Sequence, residues 1–144
     1  MKSKLLNEAD QRTFALVYET GDEVVSLLKK FASEHQPRSA HFTAIGAFQD
    51  VVLAYFDFEA KQYRKIPVKE QVEVLSLAGD IAWAEDGKPV IHAHVVVGRS
   101  DASTLGGHLM EAHVRPTLEL ILTESPRHLE RKHDAESGLA LIRL

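Results

Sequence analysis

Residues 71–97, QVEVLSLAGDIAWAEDGKPVIHAHVVV, decide the fold of this chain. Both ends are rich in aliphatic residues with period-two alternation, which predicts strands from Gln71 to Ala78 and from Val90 to Val97. Between them lies Asp86-Gly87, a dipeptide typical of tight hairpin turns. The segment therefore predicts two strands that pair antiparallel.

Short runs of β-forming residues continue on both sides of this hairpin. A short helical turn is predicted from Pro126 to His133. Further strands are predicted at Arg12 to Glu19, His41 to Ala47, Val51 to Phe58, Tyr63 to Val68, Thr117 to Thr123 and Gly138 to Arg143.

One segment has the spacing of an amphipathic helix. Asp22 can cap its first turn, and the apolar side chains from Val24 to Phe31 recur at helical intervals. Pro37 disfavours helix in the residue before it, so the helix should end at about His35. Many strands with one helix predict an α+β fold, a mostly antiparallel sheet with one main helix packed on it.

Composition limits the classes of function. The length of 144 residues predicts a single domain, residues 1–144. The absence of cysteine excludes disulfides, thiolate metal sites and cysteine nucleophiles. A net charge of −4 favours solubility over attraction to nucleic acid or anionic lipid. No apolar run has the length of a membrane span and no apolar signal segment opens the chain, so a cytoplasmic location is expected.

Three of the eight histidines are placed to act together. Residues two apart on a strand share a face, so His92 and His94 project from the face opposite the aliphatic side chains of their strand. Gly106-Gly107 permits a sharp turn that returns His108 toward them. Three nitrogen ligands with an open fourth position are typical of catalytic zinc, although surface histidines or a hydrogen-bonded interface cluster fit the same spacing. The other five histidines are interpreted as ordinary residues.

Glu119 is the candidate for acid–base chemistry. It shares a strand face with Thr117 and Ile121, and an unpaired acid in an apolar strand is costly to bury. Glu119 could orient a ligating histidine, bind the ion or act as general base. A salt bridge to Arg115 would explain the same residue without catalysis.

Several segments resemble the PPC ("plants and prokaryotes conserved") domain over nearly the whole chain. The most specific similarity is His92-x-His94 followed by Gly106-Gly107-His108-Leu109 and then Thr117-x-Glu119. The other similar segments are the strand–helix opening from Phe14 to Phe31, Ala44 to Phe48, and Val72 to Gly79. Ala112 stands where the family commonly has glycine.

The resemblance implies a compact α+β domain that assembles as a homotrimer. It also implies that His92, His94 and His108 cluster near a subunit boundary, where bacterial and archaeal members can hold a metal ion. Plant members add an AT-hook for A·T-rich DNA, and this sequence contains no Arg-Gly-Arg-Pro core of that kind.

Three hypotheses on function follow. The first is a trimeric pocket with a divalent metal, most simply zinc, that binds or transforms a small molecule. The second is a DNA-associated assembly protein, which the acidic charge disfavours. The third is a structural oligomer in which the histidines form an interface without metal.

Overall fold

A computed structural model describes residues 1–7, 11–125 and 129–143. These residues form one helix, α1 (Val24–His35), and a mostly antiparallel sheet, so the predicted α+β class is confirmed. The strands are β1 (Lys2–Asn7), β2 (Thr13–Glu19), β3 (Ala40–Asp57), β4 (Gln62–Val68), β5 (Val72–Ala84), β6 (Pro89–Gly98), β7 (Thr104–Glu124), β8 (Glu130–His133) and β9 (Ala140–Arg143).

Four long strands form a closed ring of pairings. β3 pairs with β5 and β7, and β6 joins β5 to β7, all antiparallel. The predicted hairpin is confirmed, because Asp86-Gly87 connects β5 to β6 and Trp83 lies opposite Pro89. The remaining strands extend the sheet: β2 pairs with β7, β1 with β2, β4 with β3, and β8 runs parallel to the end of β5.

Helix α1 buries Val24, Leu28, Phe31 and Ala32 and contacts β6 and β7. It ends at His35, as the sequence predicts. The predicted cap is wrong by one residue, since Glu23 accepts hydrogen bonds from the backbone N–H groups of Val25 and Ser26. Asp22 instead accepts from the backbone N–H of Glu19, and the free N-terminal amine lies beside its carboxylate.

Strands β3, β5 and β7 are longer than predicted, and β5 continues past its predicted end at Ala78 to Ala84. The strands expected at His41 to Ala47 and Val51 to Phe58 are one strand, β3, because residues 48–50 contain no glycine or proline to break it and bulges absorb the irregularity. The strand expected from Thr117 begins at Thr104. Its Gly106 and Gly107 therefore lie within β7 and make no turn.

The C-terminal segment differs from the predicted helical turn. Glu130–His133 is a strand that pairs with both β5 and β9. These pairings supply backbone hydrogen bonds, whereas a helix as short as this segment is unstable on its own. Pro126, Arg127 and His128 lie outside the described residues. Within the described ranges no helix has the length and hydropathy of a membrane span.

A buried carboxylate fastens three parts of the fold together. Glu124, at the end of β7 and 7% exposed, accepts from the Arg12 guanidinium before β2, with Nη2–Oε1 at 2.8 Å. It also accepts from the backbone N–H of Arg38 after α1, at 3.0 Å. The hydrogen bond from Arg12 lowers the pKa of Glu124 below its ordinary 4.5, against the opposing effect of burial and with help from Arg38.

We expect Glu124→Gln to lower the free energy of unfolding by about 1–3 kcal/mol at pH 7, because a buried charged pair is broken. A group with a lowered folded pKa stabilises above its unfolded pKa and loses that contribution as the pH falls through the folded pKa. The difference from the wild type should therefore shrink below about pH 4.5. Urea titrations across pH measure both effects. Glu59→Gln, in the exposed β3–β4 turn, is the control, and an equal loss in both variants would contradict the prediction.

Candidate metal centre

Strand pairing brings three histidines together. His94 on β6 lies directly opposite His108 on β7, and His92 is two residues away from His94 on the same face. One ring nitrogen of each histidine lies within 4.8 Å of the others. The ring centroids are 5.1–5.5 Å apart. The predicted convergence of His92, His94 and His108 is thus observed.

His108 reaches this cluster by a route that the sequence reasoning misplaced. The chain reverses at residues 99–103, where Arg99 N–H donates to the Ser103 carbonyl at 2.9 Å, and not at Gly106-Gly107. The glycines serve a close approach of strands. A Cβ at Gly107 would lie 2.8 Å from the carbonyl oxygen of Ala54, so only glycine fits there without displacement.

The protonation state of the cluster suits metal binding. Burial, with the nearby charges of His92, His94 and Arg131, lowers the pKa of His108 to about 4. Burial and then His92 also lower the pKa of His94. These two imidazoles are therefore neutral at pH 7, the form in which histidine ligates metals.

Asp80 is a site residue that the sequence reasoning missed. It lies on β5 directly opposite His92, with Oδ2 3.6 Å from His92 Nδ1. Arg131 of β8 donates through Nη2 to both carboxylate oxygens, at 2.7 and 2.9 Å. Burial opposes ionisation of Asp80, but its partners His92 and Arg131 hold its pKa below 3.8. Antiparallel pairing of the two strands, counted outward from the Asp86-Gly87 turn, would have placed Asp80 opposite His92.

A cavity of about 260 Å³ adjoins the cluster. His92 and His108 form one side, and the Tyr63 ring packs against His108 with centroids 4.7 Å apart. The opposite side belongs to the β8–β9 hairpin. The remaining lining residues are Val90, Ile91, Arg131, Leu139, Ala140 and Leu141.

The structure does not bring Glu119 to the histidines. Glu119 lies eleven residues beyond His108 on β7, is exposed, and lines a different groove with Ile45, Leu75 and Ile121. The salt bridge to Arg115 does not form among the described residues.

The other histidines lie apart from the cluster. His113 pairs with Asp50, with Nδ1–Oδ1 at 2.8 Å, and His35 stacks on Phe31. His41 and His133 are exposed. His128 lies outside the described residues.

The three histidines fit a divalent transition metal. Nδ1 of His108 is buried and has no hydrogen-bond partner among the described residues, a deficit that a metal at either ring nitrogen or a polar ligand could relieve. Three imidazoles without thiolate ligands match the donor set of open zinc sites. Asp80 beside His92 has the place of the carboxylate that orients a ligating histidine in such sites.

Comparisons with known proteins agree with this arrangement. The family model of the Plants and Prokaryotes Conserved (PCC) domain, the PPC domain above, matches residues 6–126. Among curated proteins none matches the sequence.

Solved structures from three organisms share the fold. A candidate DNA-binding protein of Ralstonia eutropha is 32% identical over 91% of this chain and 90% of its own, with a TM-score of 0.85. A metal-containing protein of Archaeoglobus fulgidus is 32% identical, with coverage of 99% and 97% and a TM-score of 0.83. A plant- and prokaryote-conserved protein of Pyrococcus horikoshii is 30% identical, with coverage of 99% and 95% and a TM-score of 0.85.

In the metal-free protein, His108 and His113 should titrate at different pH values, because the pKa of His108 is lowered and that of His113 is raised. His108 should titrate near pH 4, whereas the hydrogen bond that His113 donates to Asp50 raises the pKa of His113 above 6.5. Because unfolded histidine titrates near 6.5, the protein should lose the stability contributed by neutral His108 as the pH falls from 6.5 toward 4. Imidazole ¹⁵N chemical shifts, assigned with His108→Gln, measure these values. A His108 midpoint above pH 6 would refute the expectation.

Proposed function

Because this chain belongs to the Plants and Prokaryotes Conserved domain family, we propose that it is a metal-dependent small-molecule-binding protein. In this proposal residues 1–144 form one domain, and His92, His94 and His108 hold a divalent ion. The observation that carries it is the convergence of the three ring nitrogens within 4.8 Å. The Archaeoglobus relative, described as metal-containing, supports it independently.

Zinc is the proposed metal. Three imidazole nitrogen donors suit zinc, and the chain has no cysteine to form a closed thiolate site. Bound zinc supplies a Lewis acid with a position open to ligand. Asp80, with Oδ2 3.6 Å from Nδ1 of His92, is the residue placed to orient His92 when it ligates a metal, while Tyr63 packs on the ring of His108 and limits its movement. Glu119 has no part in this site.

Self-association as a homotrimer is the second element of the proposal. An apolar groove on the outer face of the sheet is lined by Ile45, Leu75 and Ile121, which are 63%, 53% and 45% exposed. Val17 lies beside it, in register with Glu119. Exposed apolar patches of this kind mark protein interfaces. The resemblance to the family supplies the number of subunits.

A DNA-associated role is the alternative function, favoured by the description of the Ralstonia relative. It predicts binding to duplex DNA that weakens steeply with salt, because neutralising phosphates releases counterions. The net charge of −4 weighs against this role.

The metal site is tested by elemental analysis of purified protein after dialysis against zinc. We expect about one zinc per chain in the wild type and less than about a tenth of that in His92→Ala/His94→Ala, because two of three ligands are lost. Asp80→Asn should retain the site with about 10–100-fold weaker zinc binding, since the orienting carboxylate is lost.

The matched control is His41→Ala/His113→Ala, which removes two histidines outside the cluster and should bind zinc as the wild type does. Equal zinc contents in the wild type and the His92→Ala/His94→Ala variant would overturn the proposed site. Circular dichroism of each variant verifies that the fold is retained.

Replacing Ile45 by aspartate places a charge in the proposed interface and should shift the protein from trimer to monomer. The measurement is the mass by light scattering after gel filtration. Phe58→Asp is the control, because Phe58 is 66% exposed but lies at the β3–β4 turn outside the groove. A wild-type monomer, or an Ile45→Asp trimer of unchanged stability on dilution, would contradict the proposal.

A further inference from the structure

The cavity beside the histidines is lined by residues of β4, β6, β7 and the β8–β9 hairpin. One wall comes from the start of β6, and the other comes from the β8–β9 hairpin. The hairpin lies beyond residue 126, where the match to the family model ends. The shape of this cavity is therefore set in part by residues outside the family-matched segment.

The walls away from the histidines are aliphatic. Val90 of β6, on the same strand face as His92, lines this cavity of about 260 Å³ together with Leu139, Ala140 and Leu141 of the hairpin. Ile91 also borders it, although its side chain packs against the core. Cavities that hold drug-sized ligands measure roughly 300–1,000 Å³. The occupant that fits these walls is thus a short molecule with an apolar body.

The polar end of the cavity favours an anion. The metal proposed above would add two positive charges at the histidine end of the cavity. Arg131, 6% exposed, donates from Nη1 to the Ala140 carbonyl and from Nη2 to Asp80, so its charge is matched by that carboxylate. Its buried Nε has no hydrogen-bond partner among the described residues, as is also true of Nδ1 of His108. The excess positive charge of the metal favours an acidic oxygen ligand at this end of the cavity.

We propose that this cavity binds a short-chain aliphatic monocarboxylate, with the carboxylate toward the histidine centre and the apolar body between β6 and the β8–β9 hairpin. This inference rests on the proposed metal site. The hairpin selects the ligand: Leu139 and Leu141 set the length and width of the apolar body that fits. A ligand without the apolar body loses the hydrophobic contact, and a cation of the same shape is repelled.

The test uses the full chain loaded with Co²⁺, whose visible absorption reports a change of ligand at the metal. The probes are 3-methylbutanoate, acetate, which lacks most of the apolar body, and 3-methylbutylamine, which reverses the charge. We expect 3-methylbutanoate to perturb the spectrum and to bind at least about tenfold more tightly than acetate, because its additional carbons are buried. The amine should leave the spectrum unchanged.

Leu141→Asp should weaken 3-methylbutanoate binding by at least about tenfold, since it puts a carboxylate in the apolar wall. Ile66→Asp is the matched control, because Ile66 and Leu141 are both 37% exposed and Ile66 does not line the cavity. Its affinity should stay within about twofold of the wild type.

The outcomes separate the two proposals. Failure of the wild type to bind Co²⁺ or Zn²⁺ would overturn the metal site and this inference together. Stoichiometric metal with equal affinity for acetate and 3-methylbutanoate, with binding of the amine, or with no effect of Leu141→Asp would overturn the carboxylate cavity alone.

Discussion

The register of β5, β6 and β7 is the constraint on which the candidate site depends. Residues directly opposite one another in a sheet face the same side, and a slip by one residue sends every side chain to the other face. The observed register places Asp80 opposite His92 and His94 opposite His108. A one-residue slip of β6 would turn the imidazoles into the core and expose Ala93, which is buried. Burial of the aliphatic face therefore fixes the side to which the three imidazoles project.

Two glycines allow the strands to lie close enough for this register. A Cβ at Gly79 would come within 2.5 Å of the His92 carbonyl oxygen, and one at Gly107 within 2.8 Å of the Ala54 carbonyl oxygen. Each glycine immediately precedes a site residue, Asp80 or His108. The backbone at these positions is thus pressed against its neighbouring strand, which leaves the adjacent side chains little freedom in where they project.

Local patterns predict the parts of the site that one strand controls. Period-two alternation was enough for the shared face of His92 and His94, and the Asp-Gly turn was enough for the β5–β6 hairpin. His108 was correctly grouped for a wrong reason, because glycine signals a turn and a close strand approach alike. For Glu119 the local pattern was not enough. An acidic residue in an apolar strand suggests a functional role, but only the tertiary structure shows that Glu119 lines the outer groove and not the histidine cluster. The short polar strand β8 has no strand-like sequence pattern, because it is formed by pairing with β5, which is distant in the sequence.

Asp80 connects the three-histidine cluster to the wall of the neighbouring cavity. Its carboxylate lies 3.6 Å from Nδ1 of His92 and accepts from Arg131 at 2.7 Å. Asp80 belongs to β5, which pairs along its length with β3 and β6, whereas β8 is joined to β5 by only two residue pairs within the described chain. The carboxylate is therefore held by the sheet, and the hairpin is positioned by its bond to that carboxylate. An occupant that displaced the hairpin would pull on the carboxylate beside His92, so the shape of the cavity and the geometry of the histidine cluster are physically coupled.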